Sequence, residues 1–532
     1  MIVNLVYLGS TTESLEWELG ESFDCQHEIS SILQLLRKHI DDSNVDAWLF
    51  WDPEYGIPDI ELIQNLMDQK TDVWHTGLTM GMAGQPEYII NVAPSWMYTV
   101  DANSEISSVS WRLNLRCCLI RTSALKELGF PSEKYDSIEA SGLELGFRYI
   151  KNGALLRHIP NLNSTAPITK IKLSFRDKIR FIYDCFGKSW ATLVLLQKFL
   201  FHPFQSISLR REMATWKSED QPKNISIEIP SAARSVDISV ILPTYKRYDY
   251  LPTCLESFRN QNLSAIEIIC VDQNPEGNRR PDIYEQFQDL PIKLIWQSAR
   301  GQSTARNQAL LAARGEWIFF ADDDSIYPPD ALQKHWDLVN CYCADASTGV
   351  SVPPREYRIP IDYLHVRIAH NLDTGNCLVR KSTVLEAGGL DLNFDFGKGA
   401  DLDLGMRIYK NGGVIVHNPY VQRIHFKAQG GLREFGVLWD NRSINRKGPQ
   451  PPATISYYFL RHFPKTLAYR AIIRMILLSN LPSSQVVDDR ESQVRKSLLV
   501  EILKFPFAIP RVIKSIKVAQ KMLKTGPKLL AL

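Results

Sequence analysis

Residues 317–324, WIFFADDD, run from aromatic and aliphatic side chains straight into three adjacent carboxylates. An apolar run of this length reads as a strand covered on both faces. A strand that stops in acid sets its charges at the carboxyl edge of the sheet, where open α/β sheets bind ligands. Asp322, Asp323 and Asp324 repel one another at that spacing unless a cation lies among them, and oxygen ligands of this kind suit Mg²⁺ or Mn²⁺. The plainer use is a helix start, since Asp324-Ser325 precedes Pro328-Pro329-Asp330 and a helix expected over 331–339. A cap, however, needs one acid and not three.

The elements that must position these acids surround them. Apolar runs at 236–242 (VDISVIL), 266–271 (IEIICV) and 292–296 predict strands. Leu251, Leu255 and Phe258 have helical spacing, and 301–313 (GQSTARNQALLAA) predicts a second helix carrying Arg306. The first strand stops at Pro243-Thr244-Tyr245 and the next at Asp272. This alternation predicts an α/β domain with a mixed, mostly parallel sheet and a nucleotide-type ligand at its carboxyl edge. Farther along, 401–410 predicts an amphipathic helix with Asp401 near its cap and Asp403 in its first turn. His425 follows another expected strand.

Taken in order, PTY at 243–245, the aspartate of VDQN at 272, ARN at 305–307 and DDD at 322–324 resemble the GT-A fold of family 2 glycosyltransferases, over roughly 236–435. The resemblance implies an inverting, hexosyltransferase-type enzyme that uses a nucleotide-sugar donor. It implies that Pro243, Thr244, Tyr245 and Asp272 hold the base and ribose, and that Arg306 meets the nucleotide or its diphosphate. Asp322 and Asp323 then face the ribose or the metal, and Asp324 holds the metal. Asp401 becomes the general base for an acceptor hydroxyl, a role worth about 10²–10⁴-fold. His425 stands where related enzymes place a metal-binding histidine, and a neutral imidazole suits Mn²⁺. Thr374-Gly375-Asn376 resembles the acceptor-side loop, so Gly375, Asn376 and Asp403 are expected on the acceptor side. Two positions depart from the family pattern: Gln273-Asn274 follows Asp272 in place of Gly-Ser, and Ala400 precedes Asp401 in place of Glu.

The chain also repeats itself. LELGFRYIKNG at 143–153 aligns without a gap on LDLGMRIYKNG at 402–412, and Cys118-Leu119-Ile120-Arg121 parallels Cys377-Leu378-Val379-Arg380. Pro160 parallels Pro419, and AWLFWDPE at 47–54 roughly parallels the strand into the acids. A period this long means a duplicated domain and not a solenoid. In this register Asp401 falls on Gly142 and His425 falls on Ala166; along the separate strand parallel the three acids become Asp52-Pro53-Glu54. The N-terminal copy is therefore expected to be degenerate. The organisation read from this is a degenerate GT-A-like domain at 1–172, a helical connector at 173–215 and a polar linker at 216–235. A catalytic GT-A domain at 236–447 and a basic helical region at 448–532 follow.

Composition fits a folded chain of two cores, with 532 residues, 45% hydrophobic and 23% charged. A formal net charge of +2 gives no reason to expect nucleic acid as a partner. Nine scattered cysteines without zinc spacing suggest a reducing compartment, and no secretory signal is expected, so the reading is cytoplasmic. Residues 494–528 carry nine Lys or Arg against Glu501 alone, interleaved with apolar residues, and 181–204 is rich in Leu and aromatics. Both suit peripheral contact with an anionic membrane surface, with Pro506 and Pro510 expected to break the first of them into pieces. The expected acceptor is a glycan or a lipid-linked one, as in surface polysaccharide synthesis. A sugar nucleotidyltransferase and a non-catalytic glycan- or nucleotide-binding scaffold are the alternatives; PTYKR lacks the glycines the first of these would want.

Overall fold

The apolar runs fold as strands because most of their side chains are covered on both faces, and each ends at or just before a polar residue. In the computed structural model these are β8 (Ile238–Thr244), β9 (Glu267–Asp272), β10 (Ile292–Trp296) and β11 (Trp317–Ala321). The structure describes residues 1–9, 17–42, 44–89, 99–163, 171–217, 224–225, 228–232, 235–356, 358–360, 363–428, 451–477 and 490–531. Ala166, parts of the 216–235 linker and residues 429–447 lie outside these. The chain divides into two units, Met1–Glu228 with Lys410–Gly412, and Ile229–Tyr409 with Gly413–Leu532.

The second unit is mixed α/β. After β11 come β12 (Ser325–Ile326), β13 (Ala346–Val352), β14 (Arg367–Ile368), β15 (Asn376–Arg380) and β16 (Ile415–His425). Their order is β10-β9-β8-β11-β15-β13-β16-β12, with β14 also on β16. The strands from β10 to β11 are parallel, β15 runs antiparallel to β11 and β13, and β13 is parallel to β16. Val240, Leu242, Ile268, Cys270 and Phe319 form the core, onto which Leu251, Leu255 and Phe258 of the helix Leu251–Arg259 pack. Each such buried aliphatic or aromatic side chain contributes about 1.5–3 kcal/mol.

The first unit has β1 (Val3–Leu8), β2 (Ser22–Cys25), β3 (Ala47–Trp51), β4 (Val73–His75), β5 (Ser108–Val109), β6 (Cys117–Arg121) and β7 (Leu156–His158). Their order is β2-β1-β3-β6-β4-β7-β5. Set against the second sheet, these stand where β9, β8, β11, β15, β13, β16 and β14 stand. Parallel and antiparallel senses agree at every pairing. Among the described residues only β10 and β12 lack a counterpart.

The repeated arginine explains what the shared segment is for. Arg148 pairs with Glu144 one turn earlier at 2.7 Å and donates to Leu128 O; Arg407 pairs with Asp403 at 2.9 Å and donates to Ala387 O. Each arginine ties its helix to the end of the preceding one, so the repeat is kept by packing. The expected connector packs as part of the first unit: Phe181 stacks on Trp111 at 5.5 Å, edge-on to Phe147.

The C-terminal region likewise packs within the second unit. Leu392 N–H donates to Lys528 O at 3.1 Å and Leu530 N–H to Gly388 O at 2.9 Å. Contrary to expectation, Pro506 and Pro510 do not break the last helix, which runs Arg490–Thr525 through both. A proline deletes one backbone hydrogen bond and bends a helix; packed neighbours can hold it continuous. Among the described residues no helix is long and apolar enough to cross a membrane.

Candidate active site

The three acids land at the sheet's carboxyl edge, and each is met by arginine. Arg306 Nη2 donates to Asp322 Oδ1 at 2.7 Å, and Arg423 Nη1 donates to Asp322 Oδ2 at 2.9 Å. Arg247 lies 3.1 Å from both Asp323 Oδ1 and Asp324 Oδ2. The expectation of cations among the acids is thus met in part by three guanidinium groups, of which Arg423 also serves Asp373 at 3.2 Å. Burial pushes the Asp323 carboxyl up to about 7, with Asp324 adding to the effect against the pull of Arg247.

What remains for a cation is more specific. Asp324 is fully buried, and its Oδ1 has no hydrogen-bond partner among the described residues. It faces His425 Nε2 at 3.4 Å. Asp322, Asp324 and His425 each bring a ligand atom within 4.8 Å of the others. The residues therefore fit a divalent metal. Burial raises Asp324, but the imidazole of His425 and the charge of Arg247 hold it below the ordinary carboxylate value. Strand register makes the cluster: β12 and β16 pair antiparallel with Ser325 opposite His425, setting the histidine beside the last acid. The Ala428 N–H closes Asp324 Oδ2 at 2.9 Å.

Asp401 lies in the first turn of the helix Ala400–Lys410. It lines a cavity of about 480 Å³ together with Asp322, His425, Asp373, Gln302 and Lys398. Gly375 is needed beside this cavity, because a Cβ there would lie 2.2 Å from both Arg423 Nη1 and Asp322 Oδ2. Its carbonyl instead accepts from Arg423 Nη1 at 2.7 Å and from the Tyr327 hydroxyl at 2.6 Å.

Several expected positions fall elsewhere. Asp403 does not face the cavity; it is fully buried, accepting from Arg407, Arg461 and His462 Nε2 at 2.8–2.9 Å. Two residues along a helix turn about 200°, so Asp401 and Asp403 point to different sides. Burial raises the Asp403 carboxyl, but the His462 hydrogen bond and the two arginines outweigh it and hold it below its usual value. Its stabilisation is thus present above its unfolded value, near 3.9, and is lost as pH falls through the lower folded one. Asp403→Asn is expected to cost about 3–5 kcal/mol by leaving the buried Arg407 without its ion-pair partner, Arg461 keeping Asp391 at 2.9 Å, and to remove that acid-sensitive part of the stability. Denaturant unfolding at neutral pH and below 4 checks both.

Asn376 is also buried, donating to Val350 O and Val421 O at 3.1 and 3.2 Å; Asp373 and Thr374 line the cavity in its place. Thr244 and Asp272 are register partners at the ends of β8 and β9. Asp272, however, already accepts from the hydroxyls of Tyr248 and Tyr284 and from the backbone and side-chain nitrogens of Asn274, at 2.6–2.9 Å. Four donors fill a carboxylate's acceptor sites, so Asp272 shapes the strand-end turn. Tyr245 lies above that turn with its hydroxyl accepting from Arg300 at 3.0 Å. Pro243 is half-buried beside it, and Arg306, paired with Asp322, also donates to Thr374 O at 3.1 Å. Sequence reasoning missed Arg247, Asp373 and Arg423; Arg423 sits two residues before His425, but only the fold brings it to Asp322.

Among the described residues the first unit lacks this arrangement. Asp52 is bound by Arg116 at 2.6 Å and by His27 at 2.8 Å. At the position matching Asp401, a Cβ on Gly142 would come 2.8 Å from Leu113 O. Backbone fills the space a base would need.

Comparison with known proteins agrees with the second unit. The profile of glycosyl transferase family 2 matches residues 239–360, from β8 to just past β13. Two Bacillus subtilis (strain 168) proteins, provisionally named as glycosyltransferases, are similar to this chain. EpsH is 37% identical over 118 residues, 20% of this chain and 34% of its own. TuaG, whose name places it in teichuronic acid biosynthesis, is 31% identical over 134 residues, 24% of this chain and 52% of its own. The chain thus spans about a third to a half of these relatives. Among solved structures, Staphylococcus aureus TarS 1–349 in complex with UDP-GlcNAc aligns with a TM-score of 0.36 and 16% identity, covering 55% of this chain and 92% of that one.

Proposed function

We propose that this chain, with its family 2 glycosyltransferase segment at residues 239–360, transfers a sugar from a nucleotide-sugar donor to a hydroxyl of a glycan or lipid-linked acceptor, with inversion. The observation that carries the reading is the shared cavity, in which Asp401 faces the same space as Asp322 and His425. In this reading the Asp401 carboxylate accepts the proton of the acceptor hydroxyl as that oxygen attacks the anomeric carbon. The bond from that carbon to the diphosphate oxygen breaks in the same displacement, which inverts the centre. A divalent cation, Mg²⁺ or Mn²⁺, held by Asp322, Asp324 and His425 supplies neutralisation of the charge on the nucleoside diphosphate when bound. Arg247, Arg306 and Arg423 keep the acids in place without closing off Asp324 Oδ1. Pro243, Thr244 and Tyr245 carry the base and ribose contacts, with Asp272 shaping the turn beneath.

The first unit is, in the same reading, a degenerate copy of this domain, supported by the matched strand order and by the blocked position at Gly142. The family match ends before Thr374, Asp401 and His425, so the acceptor half rests on the geometry alone. The relative named for teichuronic acid biosynthesis supports a role in surface polysaccharide synthesis; a place on the cytoplasmic side of an anionic membrane rests on the sequence reading alone. Incubation with a panel of UDP- and GDP-sugars should give nucleoside diphosphate release that requires Mg²⁺ or Mn²⁺. Release of pyrophosphate from a sugar phosphate and a nucleoside triphosphate would contradict the reading in favour of nucleotidyl transfer.

A further inference from the structure

The helix Lys188–Lys198 is apolar on nearly every side. Ala191, Val194 and Leu195 are buried, yet Leu193, Leu196 and Phe199 on the outer side are exposed. The chain then turns through Leu200 and Phe201, which are 86% and 75% exposed, into the helix Pro203–Glu212, where Phe204 is 85% exposed and Ile207 is also open. Water is a poor solvent for such an apex. A soluble surface scatters single apolar residues, and a contiguous patch marks an interaction site.

The charges around the patch select the partner. No acidic residue occurs between Asp184 and Glu212, whereas Lys188, Lys198, Arg210 and Arg211 all fall in that interval. Lys188, Arg210 and Arg211 are exposed, and Lys198 lies with its Nζ 4.4 Å from the centre of the Tyr88 ring. Bulky apolar side chains at a turn, in a segment whose charged residues are all Lys and Arg, match the boundary between acyl chains and anionic headgroups. Glu87, beside the same Tyr88 ring, is neutralised by Lys178 at 3.0 Å.

We infer that the turn between these two helices is a membrane-docking element, with Leu200, Phe201 and Phe204 entering the interface of an anionic bilayer and the surrounding Lys and Arg meeting its headgroups. It deepens the membrane contact proposed above and assigns it to this apex instead of the basic C-terminal helix. Membrane binding is read without donor or acceptor, so its failure is separable from failure of the catalytic reading.

The test is flotation of the full chain with vesicles of phosphatidylcholine, alone or mixed with phosphatidylglycerol. The wild type should float with the anionic vesicles, much less with the neutral ones, and should be released by salt, since screening shortens the reach of the charges. Leu200→Ser/Phe201→Ser/Phe204→Ser should lose partitioning by at least about tenfold, as each buried apolar side chain is worth more than a factor of ten. All three residues are exposed, so the variant should keep its unfolding temperature and donor turnover. Lys517→Glu/Lys521→Glu, on the C-terminal helix, should float like the wild type. Equal flotation of the triple variant would overturn the assignment. So would a wild-type dimer that the triple variant converts to monomer with no change in lipid binding, since the patch would then be a contact between copies.

Discussion

Replacing Asp401 by Asn is expected to lower kcat for sugar transfer by about 10²–10⁴-fold while leaving donor KM and the unfolding midpoint near wild type. The side chain lines the cavity at the start of its helix, and asparagine keeps its shape. The proton-accepting oxygen is what asparagine removes from the cavity, so donor binding should survive. Loss of one acid from a helix's first turn typically costs about 0.3–1 kcal/mol. The contrast with Asp403, two residues away, is sharp. That carboxylate is sealed among Arg407, Arg461 and His462, so its replacement should unfold the protein more readily before it affects chemistry. Steady-state kinetics and denaturant unfolding on the two variants separate the roles; equal stability loss in both, or an active Asp401→Asn, would remove Asp401 as the base.

The second large effect belongs to the cation site. Asp324→Ala should abolish Mn²⁺ binding and reduce turnover by at least about 10²-fold, since Lewis-acid stabilisation of a leaving group is worth several kcal/mol and each 1.36 kcal/mol is tenfold. Chelation of the wild type should produce the same loss, reversed by added Mg²⁺ or Mn²⁺. The variant removes the buried Oδ1 that finds no hydrogen bond among the described residues, and also Oδ2, which accepts from Ala428 N–H at 2.9 Å; Arg247 keeps its bond to Asp323 at 3.1 Å. About 1–3 kcal/mol of stability should go with the Ala428 bond, so the unfolding midpoint is measured beside turnover. Calorimetric titration with Mn²⁺ checks binding directly; full turnover in the variant, or in chelated wild type, would show that the arginines alone manage the charge.

Much of the second unit could be read in advance because its strands announce their own ends. WIFFA gives way to Asp322 and VILPT to Tyr245, and in both the change of residue type coincides with the strand end. The spacing of Asp401 and Asp403 also held the information to divide their roles, since two helical residues apart cannot both face one cavity. What could not be read was long-range register. The partnership of Ser325 with His425 depends on how two strands a hundred residues apart align. So does the descent of Arg423 onto Asp322, which changes how the acidic triplet is balanced. Asp272 shows a third kind of limit: a carboxylate at a strand end looks available until Tyr248 and Tyr284 fold over it. In the first unit, the repeated arginine proves to be a helix tie, made in the same way at Arg148 and Arg407.

Anomalous diffraction from crystals soaked with Mn²⁺ and a nucleoside diphosphate tests the proposed chemistry most directly. One peak bounded by Asp322, Asp324 and His425, with the diphosphate in the cavity that Asp401 lines, is the predicted result. A nucleotide bound outside that cavity, or manganese held away from Asp324, would contradict it.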